Sequence, residues 1–266
     1  MANKKVTIRD VAKEAGVSVA TVSYVVNGRT DLKISDETRK RVLQVINLLN
    51  YSPNQAAKAL ASKRKNQVGF AISDTDSVLK AADQMNIMKA ITKFLGDKNY
   101  DVFLIPPSRF ENYGQADALI CYDLDKNTFS AIGDCNFAPL LALDCYINDP
   151  LFFQVNTNLE RLKAAANIQF SGEKYQYILL DTNNAEKKEF ITDFFEDVLF
   201  VSSPDDIKKI NLKNVLVSSE ALLPFIPKKY NICFEPDTTK EKLELLYTAY
   251  EQAANIVPIK NHNLCI

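Results

Sequence analysis

The chain has very little of what enzymes use. Its one histidine, His262, stands in a polar stretch, so a triad or an acid–base pair built on imidazole has no material. Neither a GxxxxGKS/T phosphate loop nor a GxGxxG turn occurs, and no cluster of metal-ligand residues appears. Five cysteines (Cys121, Cys135, Cys145, Cys233 and Cys265) are odd in number, widely spaced and without a CxxC pair. That pattern argues against a disulfide framework and a zinc site, and predicts reduced, mostly buried thiols. No apolar run approaches the ~18 residues of a membrane span, and the polar, basic N-terminus lacks an apolar signal region. The expectation is a cytoplasmic protein with no catalytic activity, cofactor or metal.

What is present is a core-forming composition and a split charge. At 266 residues and 47% hydrophobic, the chain exceeds one modal domain and can bury a large core. The formal net charge of -1 conceals thirteen Lys and Arg against five acids in residues 1 to 65, a balance of +8. Residues 66 to 266 carry the compensating -9. A basic segment on an acidic body is the footprint of a protein that meets nucleic acid with one end.

Residues 7 to 27 read as two short helices hinged at Gly16. Thr7 with Asp10 three residues later is a capping-box-like start, and Ile8, Val11, Ala12 and Ala15 recur at helical spacing. Gly16 can take the left-handed conformation that ends a helix, and Ser18 can cap the next. In the second helix Val22, Val25 and Val26 share a face. The residues elsewhere on it are small or hydrogen-bonding, as suits a helix entering the major groove. A third helix opens at Ser35, with Asp36 and Glu37 in its first turn and Val42, Val45, Ile46 and Leu49 as its apolar stripe.

Asp10-Val11-Ala12, Ala15-Gly16-Val17-Ser18, Thr21-Val22-Ser23, Asn27-Gly28, residues 35 to 42, residues 49 to 54 and Ala57-Lys58-Ala59-Leu60 together resemble the DNA-binding headpiece of the lactose/galactose repressor (LacI/GalR) family of bacterial transcription factors. The resemblance runs over about the first 62 residues. It implies that Val19 and Ala20 read bases, and that Thr7, Ser18, Thr21, Ser23 and Asn27 mainly hold phosphates. Tyr24 stands where the family often has arginine; it can stack or donate its hydroxyl. Ser52-Pro53-Asn54 opens a segment too short to be helical alone in water. By resemblance it is a hinge helix that folds on operator DNA, with Asn54 and Ala57 at the DNA and Leu60 as a wedge in the minor groove. The loop from Arg29 to Ile34 is about two residues longer than the family pattern.

From Gln67 the pattern changes to nine strand-like runs: 68–72, 100–105, 118–122, 139–143, 152–155, 177–180, 198–201, 214–217 and 231–234. Helical patterns lie at 78–97, 158–170, 186–196 and 240–256. This alternation predicts parallel sheets with helices on both faces, in two small doubly wound lobes meeting near Asn156. It resembles, more weakly, the two-lobed periplasmic-binding-protein-like effector domain of the same family, some tens of residues short. There is too little chain between Ile105 and Ala116 for the usual helix. The sugar-holding arginine has no counterpart at 181–190, and Ser218-Ser219 replaces the usual Asn-Asp pair. Asp74, Asp144, Asp181 and Asn183 sit at strand ends and are the candidate effector contacts; the plainer reading of strand-end acids is loop capping.

The expected organisation is an all-α helix-turn-helix headpiece (1–50), a hinge helix and linker (51–66) and a shortened α/β effector and dimerisation domain (67–266). The expected function is sequence-specific transcriptional regulation, as a repressor, by a homodimer on a pseudo-palindromic operator, with the body open to modulation by a small molecule whose identity the sequence does not give. Three alternatives stand beside it: a regulator that has lost small-molecule control and answers to a protein partner, a ligand-binding protein with a vestigial headpiece, and a non-specific architectural DNA binder.

Overall fold

The computed structural model describes residues 6–26, 34–49, 51, 65–106, 111–255 and 260–266. They fall into two compact units, Met1–Lys65 and Asn66–Ile266.

The first unit holds α1 (Ile8–Ala15), α2 (Val19–Val26) and α3 (Asp36–Leu48). The Thr7 backbone N–H and hydroxyl both donate to the Asp10 carboxylate, at 2.8 and 2.7 Å, which completes the expected capping box. Gly16 closes α1 at φ +63°, and the Val17 N–H returns to the Ala12 carbonyl at 3.0 Å. Ser18 accepts from the Thr21 N–H and Ser35 from the Thr38 N–H, so each following helix also starts on a side-chain cap. Val11, Ala12, Ala15, Val22, Val25 and Val42 form the buried centre, with Ile8, Val45, Ile46 and Leu49 packed around it. A core of six small side chains is thin, so backbone caps carry much of this unit's definition.

The second unit contains two all-parallel sheets. The first, six-stranded, is ordered β10-β5-β4-β3-β1-β2, from β1 (Gln67–Ile72), β2 (Asp101–Ile105), β3 (Ala118–Tyr122), β4 (Leu140–Leu143), β5 (Phe153–Asn156) and β10 (Asn263–Cys265). The second, four-stranded, is ordered β7-β6-β8-β9, from β6 (Gln176–Leu180), β7 (Val198–Val201), β8 (Asn214–Val217) and β9 (Asn231–Phe234). Central strands such as β3, β4 and β8 are buried along their whole length, which is why they read as continuous apolar runs. All nine expected strands are present. The tenth, β10, has no apolar run, and forms because Asn263, Leu264 and Cys265 pair with Gln154, Val155 and Asn156 on the open edge of β5.

Helices α4 (Val78–Gly96) and α8 (Lys240–Ala254) cover one face of the first sheet through Ile87, Ile91, Leu243, Leu246 and Tyr250. The opposite face packs on α5 (Lys126–Cys135) through Phe129 and Ile132. Sequence periodicity missed α5; its KNTFSAIGDC is a poor helix former, held by those two apolar anchors and by an Asp125 cap. In the second lobe α6 (Leu159–Gln169) and α7 (Ala185–Phe194) lie on one face.

The expectation of helices on both faces fails for the other side of this lobe. It is covered by two six-residue 3-10 turns, Pro204–Lys209 and Glu220–Phe225, bringing Ile207 and Leu222 onto Ile178, Val215 and Val217. Segments this short, one led by Pro204 and one interrupted by Pro224, cannot propagate an α-helix.

Candidate nucleic-acid interface and interlobe cleft

In the headpiece α2 presents Val19, 42% exposed, and Ala20, also exposed, on the side away from Val22 and Val25. Small exposed side chains at the start of a helix suit close approach to base edges. The hydroxyls around them are already engaged. Ser18 Oγ and Thr21 Oγ1 share one hydrogen bond at 2.9 Å, which leaves one hydroxyl proton between them for a phosphate. The Thr7 hydroxyl proton is committed to Asp10.

The second unit brings the carboxyl ends of both sheets to one cleft, where doubly wound folds collect functional groups. Four helices that end at or beside it begin in the same way. Ser77, Asn158, Asn184 and Thr239 are N-caps, and each accepts from the backbone N–H of a basic residue three positions on: Lys80, Arg161, Lys187 and Lys242. A cation in the first turn opposes the helix dipole, where an acid is the usual occupant. Each is therefore met by a carboxylate from a strand end.

Asp123, just past β3, takes Lys80 Nζ at 2.7 Å and Lys187 Nζ at 3.4 Å, and accepts from the Thr182 hydroxyl. Asp144, just past β4, takes Lys242 Nζ at 2.6 and 2.7 Å, with Lys242 and Asp144 side chains only 2% and 7% exposed. The same ammonium also donates to Thr157 Oγ1 at 2.8 Å and the Asp237 carbonyl at 2.9 Å, so all three of its protons are used. Glu235 pairs with Arg161 at 3.2 Å. Asp123 and Asp144 both sit in left-handed backbone, at φ +49° and +52°, a conformation Asp tolerates better than most side chains.

Two further acids lie deeper. Asp83 accepts from Tyr122 Oη at 2.6 Å and Ser219 Oγ at 2.7 Å; burial raises its carboxyl despite those bonds. Burial and the nearby Asp83 carboxylate push Asp237 up to about 7, against the pull of Lys242. Burial disfavours the Lys187 ammonium, but Asp123, Asp144 and Asp237 outweigh it and hold it above the ordinary lysine range. About 50 Å³ of free space remains among these side chains, room for a few waters rather than a sugar ring.

Residues 7–54 match the family model for bacterial regulatory proteins, lacI family. The headpiece is thus similar to the DNA-binding domain of lacI-family regulators. Catabolite control protein A of Streptococcus mutans is 57% identical over 67 residues, which is 25% of this chain and 20% of that protein. The HTH-type transcriptional regulator pepR1 of Lactobacillus delbrueckii subsp. lactis is 53% identical over 74 residues, 28% of this chain and 22% of that protein. The chain thus spans about a fifth of the length of the curated relatives it matches. The crystal structure of the Lac repressor dimer bound to operator and the anti-inducer ONPF covers 99% of this chain and 96% of its own at TM-score 0.56 and 19% identity. That likeness establishes the fold: a helix-turn-helix headpiece and a periplasmic-binding-protein-like body with parallel sheets.

The expected site residues separate in the structure. Asn27, Asn54, Ala57 and Leu60 lie outside the described residues, as do the side chains of Ser23 and Tyr24. Asp144 lines the cleft but is bound to Lys242. Asp181 reaches its margin, where Lys188 Nζ at 2.8 Å and Ser202 Oγ at 3.0 Å hold its carboxyl below the usual range despite partial burial. Asp74 and Asn183 face solvent and do not line it; Asp74 accepts from the adjacent Thr75 N–H, the loop-capping role of a strand-end acid. It is Asn184, the next residue, that turns inward, donating to the Leu124 carbonyl at 2.9 Å.

Sequence reading missed Lys80, Asp83, Asp123, Lys187, Asp237 and Lys242. The signal was a repeated one: Ser77/Lys80, Asn158/Arg161, Asn184/Lys187 and Thr239/Lys242 each place a base where a capping box has an acid. Lys80, Asp83 and Gln84 on α4, and Lys242 on α8, also interrupt otherwise apolar inward faces.

Proposed function

We propose that the chain is a sequence-specific transcriptional regulator that represses by binding a pseudo-palindromic operator as a homodimer in the cytoplasm. The observation that carries this reading is the capped headpiece with Val19 and Ala20 exposed at the start of its second helix. Its +8 charge supplies the attraction to phosphate that brings it to DNA. A dimeric Lac repressor on operator, the same fold, supports the assembly. On α4 the outward residues Val78 (77% exposed), Ala81, Ala82 and Met85 (51% exposed) form an apolar stripe at helical spacing, which suits a second copy of the chain. Two headpieces would then read half-sites in successive major grooves. The caps at Thr7, Ser18 and Ser35 are formed, which disfavours a vestigial headpiece.

The test is selection of sites from a random duplex library by the full-length protein at fixed, near-physiological salt. The reading expects an enriched palindrome with a flexible pyrimidine–purine step at its centre. Leu60→Ala is expected to weaken that site more than random DNA. Salt-sensitive binding with no enriched sequence would overturn the reading in favour of non-specific binding, and equal losses on both DNAs would remove the Leu60 wedge.

A further inference from the structure

We infer that the interlobe cleft is closed by the protein's own carboxylates in the place a small-molecule effector would occupy, so that the body holds one state without a ligand. The inference rests on reading the chain as a two-lobed regulator. Asp123 is the central group. It belongs to the first lobe, and Lys187 and Thr182 reach it from the second, while Lys80 holds it from its own side. Asp83 of the first lobe and Ser219 of the second make another link at 2.7 Å. Asn184, at the start of α7, adds links to the Leu124 carbonyl and the Tyr146 N–H. Ser77, the cap of α4, donates across to the Ser202 carbonyl.

Three helix N-termini and three ammonium groups at one cleft would form a strong anion site if left open. Here Asp123 and Asp144 already sit on those groups, and with Asp83 and Asp237 the carboxylates outnumber the lysines. An anionic or neutral ligand would have to break charge pairs that are nearly dehydrated, at a large cost in desolvation. A crevice of about 140 Å³ beside the cleft is lined by Asp83, Glu220 and Asp237 among neutral side chains, a surface that offers an anion no cationic partner.

Hydrogen exchange of the full-length protein reads the closure, with mass spectrometry following segments 122–125 and 182–188 on opposite sides of the cleft. In the wild type both are expected to exchange slowly, and neither should change on adding glucose, glucose 6-phosphate or putrescine at millimolar concentration. Asp123→Asn is expected to accelerate both segments together by at least tenfold while β8 keeps its protection. Lys187→Met, which leaves Asp123 on Lys80, gives the same paired effect if Asp123→Asn does not fold. Fast exchange in the wild type that any of the three compounds suppresses would overturn the inference, as would a variant effect confined to the segment carrying the substitution. These outcomes need no DNA, so they stay distinct from a failure to find an operator. Where an operator is found, its affinity is expected to be the same with and without each compound.

Discussion

Lys242 and Asp144 form the pair on which the stability of the body most visibly depends. Lys242 comes from the first turn of α8 and Asp144 from the end of β4, so the contact fastens the returning helix to the sheet it covers. Removing one partner from a buried, fully bonded pair leaves an uncompensated charge, at a cost of about 3–5 kcal/mol. Lys242→Met removes the Asp144 carboxylate's direct ion pair and leaves it a long hydrogen bond from the Thr157 hydroxyl at 3.5 Å. Asp144→Asn keeps the left-handed backbone, which Asn tolerates, but removes the charge that balances the ammonium. Each single variant should therefore lower the melting temperature of the body by about 6–20 °C, taking 2–4 °C per kcal/mol for a unit of this size. The double variant has no charge left to strand, and should be more stable than the sum of the singles predicts by about 2 kcal/mol. Urea unfolding of the full-length protein, followed by circular dichroism, closes the cycle, with unchanged m-values as the condition for comparing midpoints. Additivity within about 0.5 kcal/mol would show that the two residues do not act as a pair, and would refute the argument.

The remaining predictions concern the headpiece and the pH response. Gly16→Ala forces a side chain into φ +63° with no neighbouring atom in the way, so the cost is purely conformational, about 1 kcal/mol. Headpiece unfolding should shift accordingly, while an unshifted midpoint would mean the turn relaxes. Asp237 and Asp83 have raised folded values, so the folded protein keeps protons that the unfolded chain releases. Their contribution is greatest near the ordinary carboxylate range and is lost as pH rises through about 7 for Asp237. The body should lose stability between about pH 5 and pH 8, on the order of 2–3 kcal/mol, and Asp237→Asn should flatten that slope. A stability rising over this window in the wild type would reverse the assignment.

Most of the framework was legible because it is written in local periodicities. The alternation of apolar runs with helical stripes locates nine strands, and the Thr7/Asp10, Gly16 and Ser18 signals locate the headpiece turn. What escaped depended on distant partners. β10 has no apolar run, and exists because β5 leaves an edge open to Asn263, Leu264 and Cys265. The cleft escaped for a related reason. Asp123 and Lys187 are 64 positions apart and Asp144 and Lys242 98 apart, and each looks like an ordinary surface residue until its partner is found. The bases at the third position after each N-cap were visible, but their meaning depends on carboxylates supplied by other strands. No arginine stands in 181–190, and what the sequence alone could not say is that Lys187 there is already occupied by Asp123.

The pairing of β10 with β5 also sets an order on synthesis. The second lobe is continuous in sequence, from α6 to β9, whereas the first sheet needs residues 263–265 to cover the edge laid down at 153–156. At ~5–20 residues per second, the ribosome leaves that edge uncovered for roughly 5–20 s. During this interval a nascent first lobe shows an unpaired strand and the bare sheet face that α8 will cover, both of them templates for sticking to neighbouring chains. The second lobe can be complete by then. A helper that shields nascent chains would thus find its substrate in the first half of this protein, and release it when the last helix and strand arrive.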